Sequence, residues 1–169
     1  MNKQKSFTII ELLIVFLVIG IIGTIILAAL KGQLATARDG RRKGDMRSFQ
    51  SALEVYYAAY QHYPEWSQGG CIENESALGN PFYDPAVEEG MPFAPTYISS
   101  MLKDPLYPSQ CYYYKTGSNY VLIARLEKDK KSPKNDGIND DYYEVYSDKD
   151  KANEIINSIT DLALAVCSG

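Results

Sequence analysis

The chain has 169 residues, a formal net charge of −4, one histidine and three cysteines. This length leaves room for one soluble domain of about 100 residues beside a membrane segment. A mildly acidic chain has no overall attraction to nucleic acid, and one histidine without a Cys-x-x-Cys pair does not make a zinc site. Because no nucleophile elbow, phosphate-binding loop or metalloprotease motif is present, we expect no enzyme and no required cofactor.

An apolar stretch, Phe7 to Leu30, dominates the N-terminus. Its part from Leu12 to Leu30 is nineteen residues long and carries no charge, which is enough for a helix to cross a hydrocarbon core of roughly 30 Å. Glu11 is the discordant residue, because a carboxylate inside a bilayer costs on the order of 3 kcal/mol and usually has a partner. A signal peptide has a shorter apolar core of about 7–15 residues, and an ordinary membrane anchor has no use for Glu11.

The segment Ser6 to Val15 (SFTIIELLIV) follows a short basic leader, Met1 to Lys5. It resembles the N-terminus of type IV pilins and of the pseudopilins of type II secretion systems. The resemblance implies that prepilin peptidase removes residues 1–6 by cutting between Ser6 and Phe7, and that the new amine of Phe7 is methylated. It also implies that Glu11 pairs with this amine of an adjacent subunit during assembly. Ser6 stands where the family usually has glycine.

The resemblance implies a structural function for the whole chain. The chain would be a single-pass protein of the cytoplasmic membrane with an extracytoplasmic C-terminal domain, and then a subunit of a type IV pilus or a type II secretion pseudopilus. Its implied partners are copies of itself, prepilin peptidase, the fibre assembly machinery and membrane lipid. The alternative is a single-span membrane-anchored binding module that does not polymerise, such as a DNA-contacting or adhesive minor pilin.

The N-terminal helix is predicted to continue beyond the membrane. An apolar stripe at helical spacing is formed by Met46, Phe49, Leu53, Tyr56 and Tyr60. The first proline that could break a helix is Pro64. We therefore predict one helix over 8–61, with a membrane and assembly half over 7–30 and an amphipathic continuation over 31–62.

A strongly charged segment, Arg38 to Arg47 (RDGRRKGDMR), lies in this continuation. We interpret it as a solvated collar at the membrane surface that attracts lipid phosphates, or as a source of ion pairs between subunits. Phosphate contacts to DNA are the weaker alternative, because no aromatic residue interrupts the run.

Residues 63–147 are predicted to form a pilin-like globular domain. Three segments have the composition of strands: Cys111–Thr116, Tyr120–Leu126 and Tyr142–Ser147. Three antiparallel strands packed on the helix stripe give an α+β fold with a small sheet. Apolar residues at helical spacing predict a C-terminal helical tail over 148–169.

The three cysteines are Cys71, Cys111 and Cys167. In an oxidising compartment they predict one disulfide and one odd thiol. We favour a bridge between Cys71 and Cys111, because it would close a loop of about 40 residues that has little regular structure. Cys167 would then be free or would pair between chains.

An acidic loop over 135–141 (NDGINDD) precedes the last predicted strand. Its oxygen ligands suit Ca²⁺, although their order does not match an EF-hand loop. Major pseudopilins carry a Ca²⁺ site in a similar place, so the resemblance implies Asp136, Asn139, Asp140 and Asp141 as candidate ligands. A solvated acidic turn is the alternative.

Overall fold

The computed structural model describes residues 8–77, 79–83, 92–132 and 142–148. These residues form one long helix, one short helix and four strands. In chain order the elements are α1 (Ile9–Tyr60), β1 (Gly70–Cys71), α2 (Phe93–Thr96), β2 (Tyr113–Thr116), β3 (Tyr120–Ala124) and β4 (Tyr143–Tyr146). The fold is α+β, which confirms the predicted fold class.

Helix α1 is 52 residues long and is capped at both ends. Thr8 is the N-cap residue, and its hydroxyl accepts a hydrogen bond from the backbone N–H of Glu11 at 3.4 Å. At the other end Gln61 adopts a left-handed conformation with φ of 63°, and its N–H donates to the carbonyl of Tyr57 at 2.8 Å. A left-handed residue with this bond is a common way to end a helix. The predicted helix over 8–61 is confirmed to within one residue at each end.

The sheet has four antiparallel strands in the order β1-β2-β3-β4. The three strands predicted from the sequence are present, each beginning and ending within two residues of its predicted bounds. The prediction of three strands is nevertheless one strand short. The added strand, β1, is only two residues long, and two residues carry no periodicity that a sequence pattern could reveal.

The apolar stripe of α1 packs against one face of the sheet. The buried residues of this core include Met46, Phe49, Ala52, Leu53 and Tyr56 from α1, and Tyr112, Tyr114, Tyr120, Leu122 and Ala124 from the sheet and its entry. The ring of Phe49 lies 5.0 Å from that of Phe82 and 5.2 Å from that of Phe93, within the range of favourable aromatic pairs. The stripe predicted from the sequence is therefore the surface of α1 against which the globular domain packs.

Strand β1 is held by a disulfide to the segment before β2 and by close packing against Trp66. The disulfide joins Cys71 to Cys111, whose Cα atoms are 5.6 Å apart, and it is the pairing favoured from the sequence. Gly70 lies directly against the indole of Trp66, since a Cβ atom at this position would be 2.6 Å from Cζ2 of the ring. Only glycine permits so close an approach of the backbone to another group.

Candidate functional site

The first half of α1 exposes apolar side chains in every direction. Between Ile9 and Leu27 the large apolar side chains are 44% to 83% exposed. An 18-residue window of α1 has a mean hydropathy of 3.1, and none of it is buried. Soluble monomers rarely expose so large an apolar surface. Among the described residues, α1 is the helix that is long and apolar enough to cross a membrane.

Glu11 lies at the first turn of this apolar helix and forms a capping box with Thr8. Its Oε2 accepts hydrogen bonds from the backbone N–H of Thr8 at 2.9 Å and from the hydroxyl of Thr8 at 2.7 Å. A carboxylate can accept about four hydrogen bonds, so these contacts leave it able to receive a further donor. The cap fixes the Glu11 carboxylate at the N-terminal end of the helix, where the helix dipole favours a negative charge.

Several predicted site residues lie outside the described part of the chain. They are the predicted cleavage and methylation residues Ser6 and Phe7, the proposed Ca²⁺ ligands Asp136, Asn139, Asp140 and Asp141, and the third cysteine, Cys167. The predicted helical tail over 148–169 also lies outside them, except for Asp148. These assignments stay predictions.

A buried cluster of ion pairs joins the second half of α1 to the domain. The guanidinium of Arg42 donates to both carboxylate oxygens of Asp104, at 2.7 and 3.0 Å. Its Nη1 donates to Asp39 at 3.0 Å and to Glu127 at 2.7 Å. Glu127 also accepts two bonds from Arg38, which hold the pKa of the Glu127 carboxyl below its usual range. Three carboxylates thus converge on one fully buried arginine.

The interpretation of residues 38–47 as a solvated collar is therefore wrong for the centre of the run. Arg42 is 0% exposed and Asp39 is 2% exposed. Lys43 also turns inward and forms an ion pair with Asp129. Arg41 keeps the predicted character, because its side chain is 59% exposed and makes only long contacts, from Nε to Asp45 at 3.5 Å and from Nη2 to the carbonyl of Lys103 at 3.5 Å.

Asp39 holds the loop that follows β3. Its two carboxylate oxygens accept hydrogen bonds from three consecutive backbone N–H groups, those of Glu127 at 2.8 Å, Lys128 at 2.7 Å and Asp129 at 3.0 Å. Burial opposes the negative charge, but these bonds outweigh it and hold the pKa of Asp39 below its usual range. The loop is therefore fixed to the side of α1 near the apolar half.

Glu73 performs a similar role beside the disulfide. Its carboxylate accepts hydrogen bonds from the backbone N–H groups of Asp104 and Tyr112, each at 3.0 Å. Burial raises the pKa of Glu73 to about 7. Glu73 therefore connects the segment after β1 to both the Arg42 cluster and the residue next to Cys111.

Comparison with known proteins places the N-terminal half of α1 in a defined class. Residues 1–27 match the model of the prokaryotic N-terminal methylation motif. The matched segment contains the predicted leader, Glu11 and most of the exposed apolar helix. The chain is pilin-like. The long capped helix and the small antiparallel sheet on its second half agree with this assignment.

The similarity of this pilin-like chain to known proteins extends into its globular domain. It is 29% identical to the type II secretion system core protein G of Escherichia coli K12, over 72% of this chain and 73% of that protein. It is 28% identical to the protein of the same name from Pseudomonas aeruginosa, over 47% of this chain and 56% of that protein. The match to the Pectobacterium carotovorum protein is 28% and covers 43% of its length. No solved structure matches significantly.

Pilins and pseudopilins are structural fibre subunits, and a pilin-like chain is accordingly a structural protein and not an enzyme. Its exposed apolar helix is the membrane-anchor segment expected of such a subunit. Within residues 8–77, 79–83, 92–132 and 142–148, no group of three or more His, Cys, Asp or Glu side chains is arranged to hold a metal ion.

Proposed function

We propose that this pilin-like chain is a subunit of a type II secretion pseudopilus. Prepilin peptidase removes residues 1–6, the amine of Phe7 is methylated, and the processed subunit assembles through α1. The pseudopilus is preferred to a type IV pilus because the similar proteins are core proteins of type II secretion systems. A type IV pilus subunit is the second candidate, favoured by the N-terminal motif alone.

The observation that carries this proposal is the placement of Glu11. The carboxylate lies at the N-terminal end of an apolar helix whose side chains are exposed on all sides. Phe7 precedes Glu11 by four residues in the sequence and is next to the N-cap residue Thr8. Cleavage before Phe7 would create a positive amine in the same apolar layer, and each charge is costly there unless it is paired.

Pairing between neighbouring subunits would set the register of the fibre. Apolar helices attract one another without a strong preference for one longitudinal offset, whereas one charge pair per interface selects a single offset. Glu11 of one subunit would receive the Phe7 amine of the next. The amphipathic half of α1 would hold the globular domain on the outer side of the cytoplasmic membrane, which is the orientation that similarity to pseudopilins supports, although the basic residues after the apolar segment outnumber Lys3 and Lys5 before it.

We expect Glu11→Ala and Glu11→Gln to reduce fibre assembly about a hundredfold while leaving the chain in the membrane fraction. Leaving one amine unpaired in an apolar environment costs on the order of 3 kcal/mol, which corresponds to this factor. The measurement is the amount of sheared fibre relative to total subunit. Glu65→Gln removes the same charge from an exposed loop position and serves as the matched control.

Comparison of the two Glu11 variants separates the effect of the carboxylate charge from the effect of the capping box with Thr8. Glutamine keeps a side-chain oxygen that can accept from Thr8, whereas alanine removes it. Normal fibres from Glu11→Gln would show that charge pairing does not set the register, and the proposal would then be abandoned.

A further inference from the structure

A lysine of the globular domain reaches the helix where the apolar segment ends. A Cβ atom at Gly32 would lie 3.1 Å from Nζ of Lys128. Gly32 follows Leu30, the last residue of the uncharged stretch, by two positions, or about 3 Å along the helix axis. The headgroup layer on each side of a bilayer is roughly 5–7 Å deep. The Lys128 ammonium therefore lies within this layer when the apolar segment spans the hydrocarbon core.

The loop that carries Lys128 is held in this position. Three consecutive N–H groups, including that of Lys128 itself, donate to the carboxylate of Asp39. Asp39 is buried on α1, so the loop cannot leave the helix without breaking these bonds. The position of the Lys128 backbone along α1 is thus fixed by the fold.

The loop also has an excess of positive charge. Its two carboxylates form ion pairs with α1, Glu127 with Arg38 and with Arg42, which Asp39 and Asp104 share, and Asp129 with Lys43. Three exposed lysines remain, Lys128, Lys130 and Lys131, and the ammonium of Lys130 also donates to the carbonyl of Leu126 at 3.5 Å. In the part of the chain that the structure describes, none of them forms an ion pair.

The cleft between the loop and α1 is balanced in charge. It has a volume of about 300 Å³, and its charged lining consists of Asp39, Lys43, Lys128 and Asp129. An anion is therefore not favoured inside the cleft. Lys128 lines the cleft but is also exposed to solvent, and Lys130 and Lys131 add two further positive charges outside the cleft, so an anion is favoured at the solvent-exposed side of the loop.

We propose that the loop 127–132 is a headgroup-binding surface that selects anionic phospholipid around the membrane anchor. Its ligand is the phosphate-bearing headgroup of a negatively charged lipid in the bilayer that α1 crosses. A basic residue at a membrane surface contributes about 1 kcal/mol of attraction to anionic lipid, and the attraction decays within a Debye length of roughly 8–10 Å. The proposal rests on α1 crossing a membrane and does not require fibre assembly, so a chain that is not processed before Phe7 would leave it standing.

The test uses the full chain in nanodiscs of phosphatidylcholine and phosphatidylglycerol. Native mass spectrometry of the ejected protein measures the ratio of the two lipids that remain bound. We expect enrichment of phosphatidylglycerol in the unaltered chain and a fall of about fivefold in Lys128→Gln, which is the loss of about one surface lysine.

Arg47→Gln is the matched control. Arg47 is an exposed cation on α1 about 25 Å beyond Leu30, well outside the headgroup layer. The Arg47→Gln variant should keep the enrichment of phosphatidylglycerol, although it loses the same charge as Lys128→Gln. Equal losses in both variants would indicate a general effect of net charge and would overturn the proposal. Absence of enrichment in the unaltered chain would overturn it as well.

Duplex DNA is the other polyanion that lysines attract, and its binding is tested with the full chain in nanodiscs of phosphatidylcholine alone. Binding of DNA that is lost in Lys128→Gln, without any preference for phosphatidylglycerol, would assign the loop to nucleic acid and overturn the lipid proposal.

Discussion

Replacing Arg42 with alanine is expected to lower the free energy of unfolding of the domain by about 3–5 kcal/mol. The substitution removes the one cation that bonds Asp39, Asp104 and Glu127 together. Breaking a buried ion pair by deleting one partner costs this much, because the opposite charges stay buried without compensation. Arg38 still reaches Glu127 in the variant, but Asp104 loses both of its bonds to the guanidinium.

The measurement is denaturant unfolding of the full chain in detergent, followed by the fluorescence of Trp66, which is the single tryptophan and is buried. Arg41→Ala is the matched control, since Arg41 is the neighbouring residue of the same type and is mostly exposed. An exposed pair of this kind contributes less than about 1 kcal/mol. Similar losses in the two variants would contradict the structural role given to the buried cluster.

The loss in Arg42→Ala should also depend on pH. The pKa values of Asp39 and Glu127 are lowered in the folded chain, so their contribution to stability is present above their unfolded pKa values, near 4, and is lost as the pH falls through the folded ones. Without Arg42 these groups lose part of that contribution. The difference between the variant and the unaltered chain should therefore be largest near pH 7 and should shrink towards pH 3.

Removal of the Cys71–Cys111 disulfide is the second change with a large expected effect. A bridge with a sequence separation of 40 residues restricts the unfolded chain by about 4 kcal/mol on the chain-entropy estimate. Cys71 lies in the two-residue strand β1, which pairs with β2 and is flanked by the packing of Gly70 on Trp66 and by the bond from the Ile72 N–H to the carbonyl of Tyr112 at 2.8 Å. We expect the double variant Cys71→Ser/Cys111→Ser to lose roughly this amount and to unfold first at β1.

Denaturant unfolding under oxidising conditions tests this expectation, again with Trp66 as the probe because its ring packs on β1. Cys167→Ser is the control and should leave the unfolding midpoint unchanged. A loss in Cys167→Ser as large as that in the double variant would show that the stabilising bridge joins Cys167 to one of the other two cysteines.

The sequence predicts the parts of this molecule that depend on local pattern. Three features are visible within short stretches of the sequence: the length of the uncharged stretch, the apolar stripe of α1, and the strand composition of β2, β3 and β4. The structure has each of them. Glu11 is visible for the same reason, since one carboxylate at the start of an apolar run stands out without any tertiary information.

The ion-pair cluster could not be predicted in the same way. Arg42 and Asp39 are three residues apart, but Asp104 is 62 positions and Glu127 85 positions from Arg42. No spacing rule connects such distant residues, so the sequence alone predicts a solvated run of charges on the helix. A buried arginine becomes evident only when the domain folds back on α1 and brings the carboxylates to it. The short strand β1 escapes prediction for a related reason, because its pairing with β2 and the disulfide define it.

The measurement that tests the central claim most directly is the intact mass and N-terminal residue of the chain extracted from its native membrane. Processing as a pseudopilin subunit predicts a chain that begins at a methylated Phe7 and lacks residues 1–6. A chain that still begins at Met1 would contradict the claim, because Glu11 would then have no Phe7 amine to receive, and the protein would be a membrane-anchored module that does not polymerise.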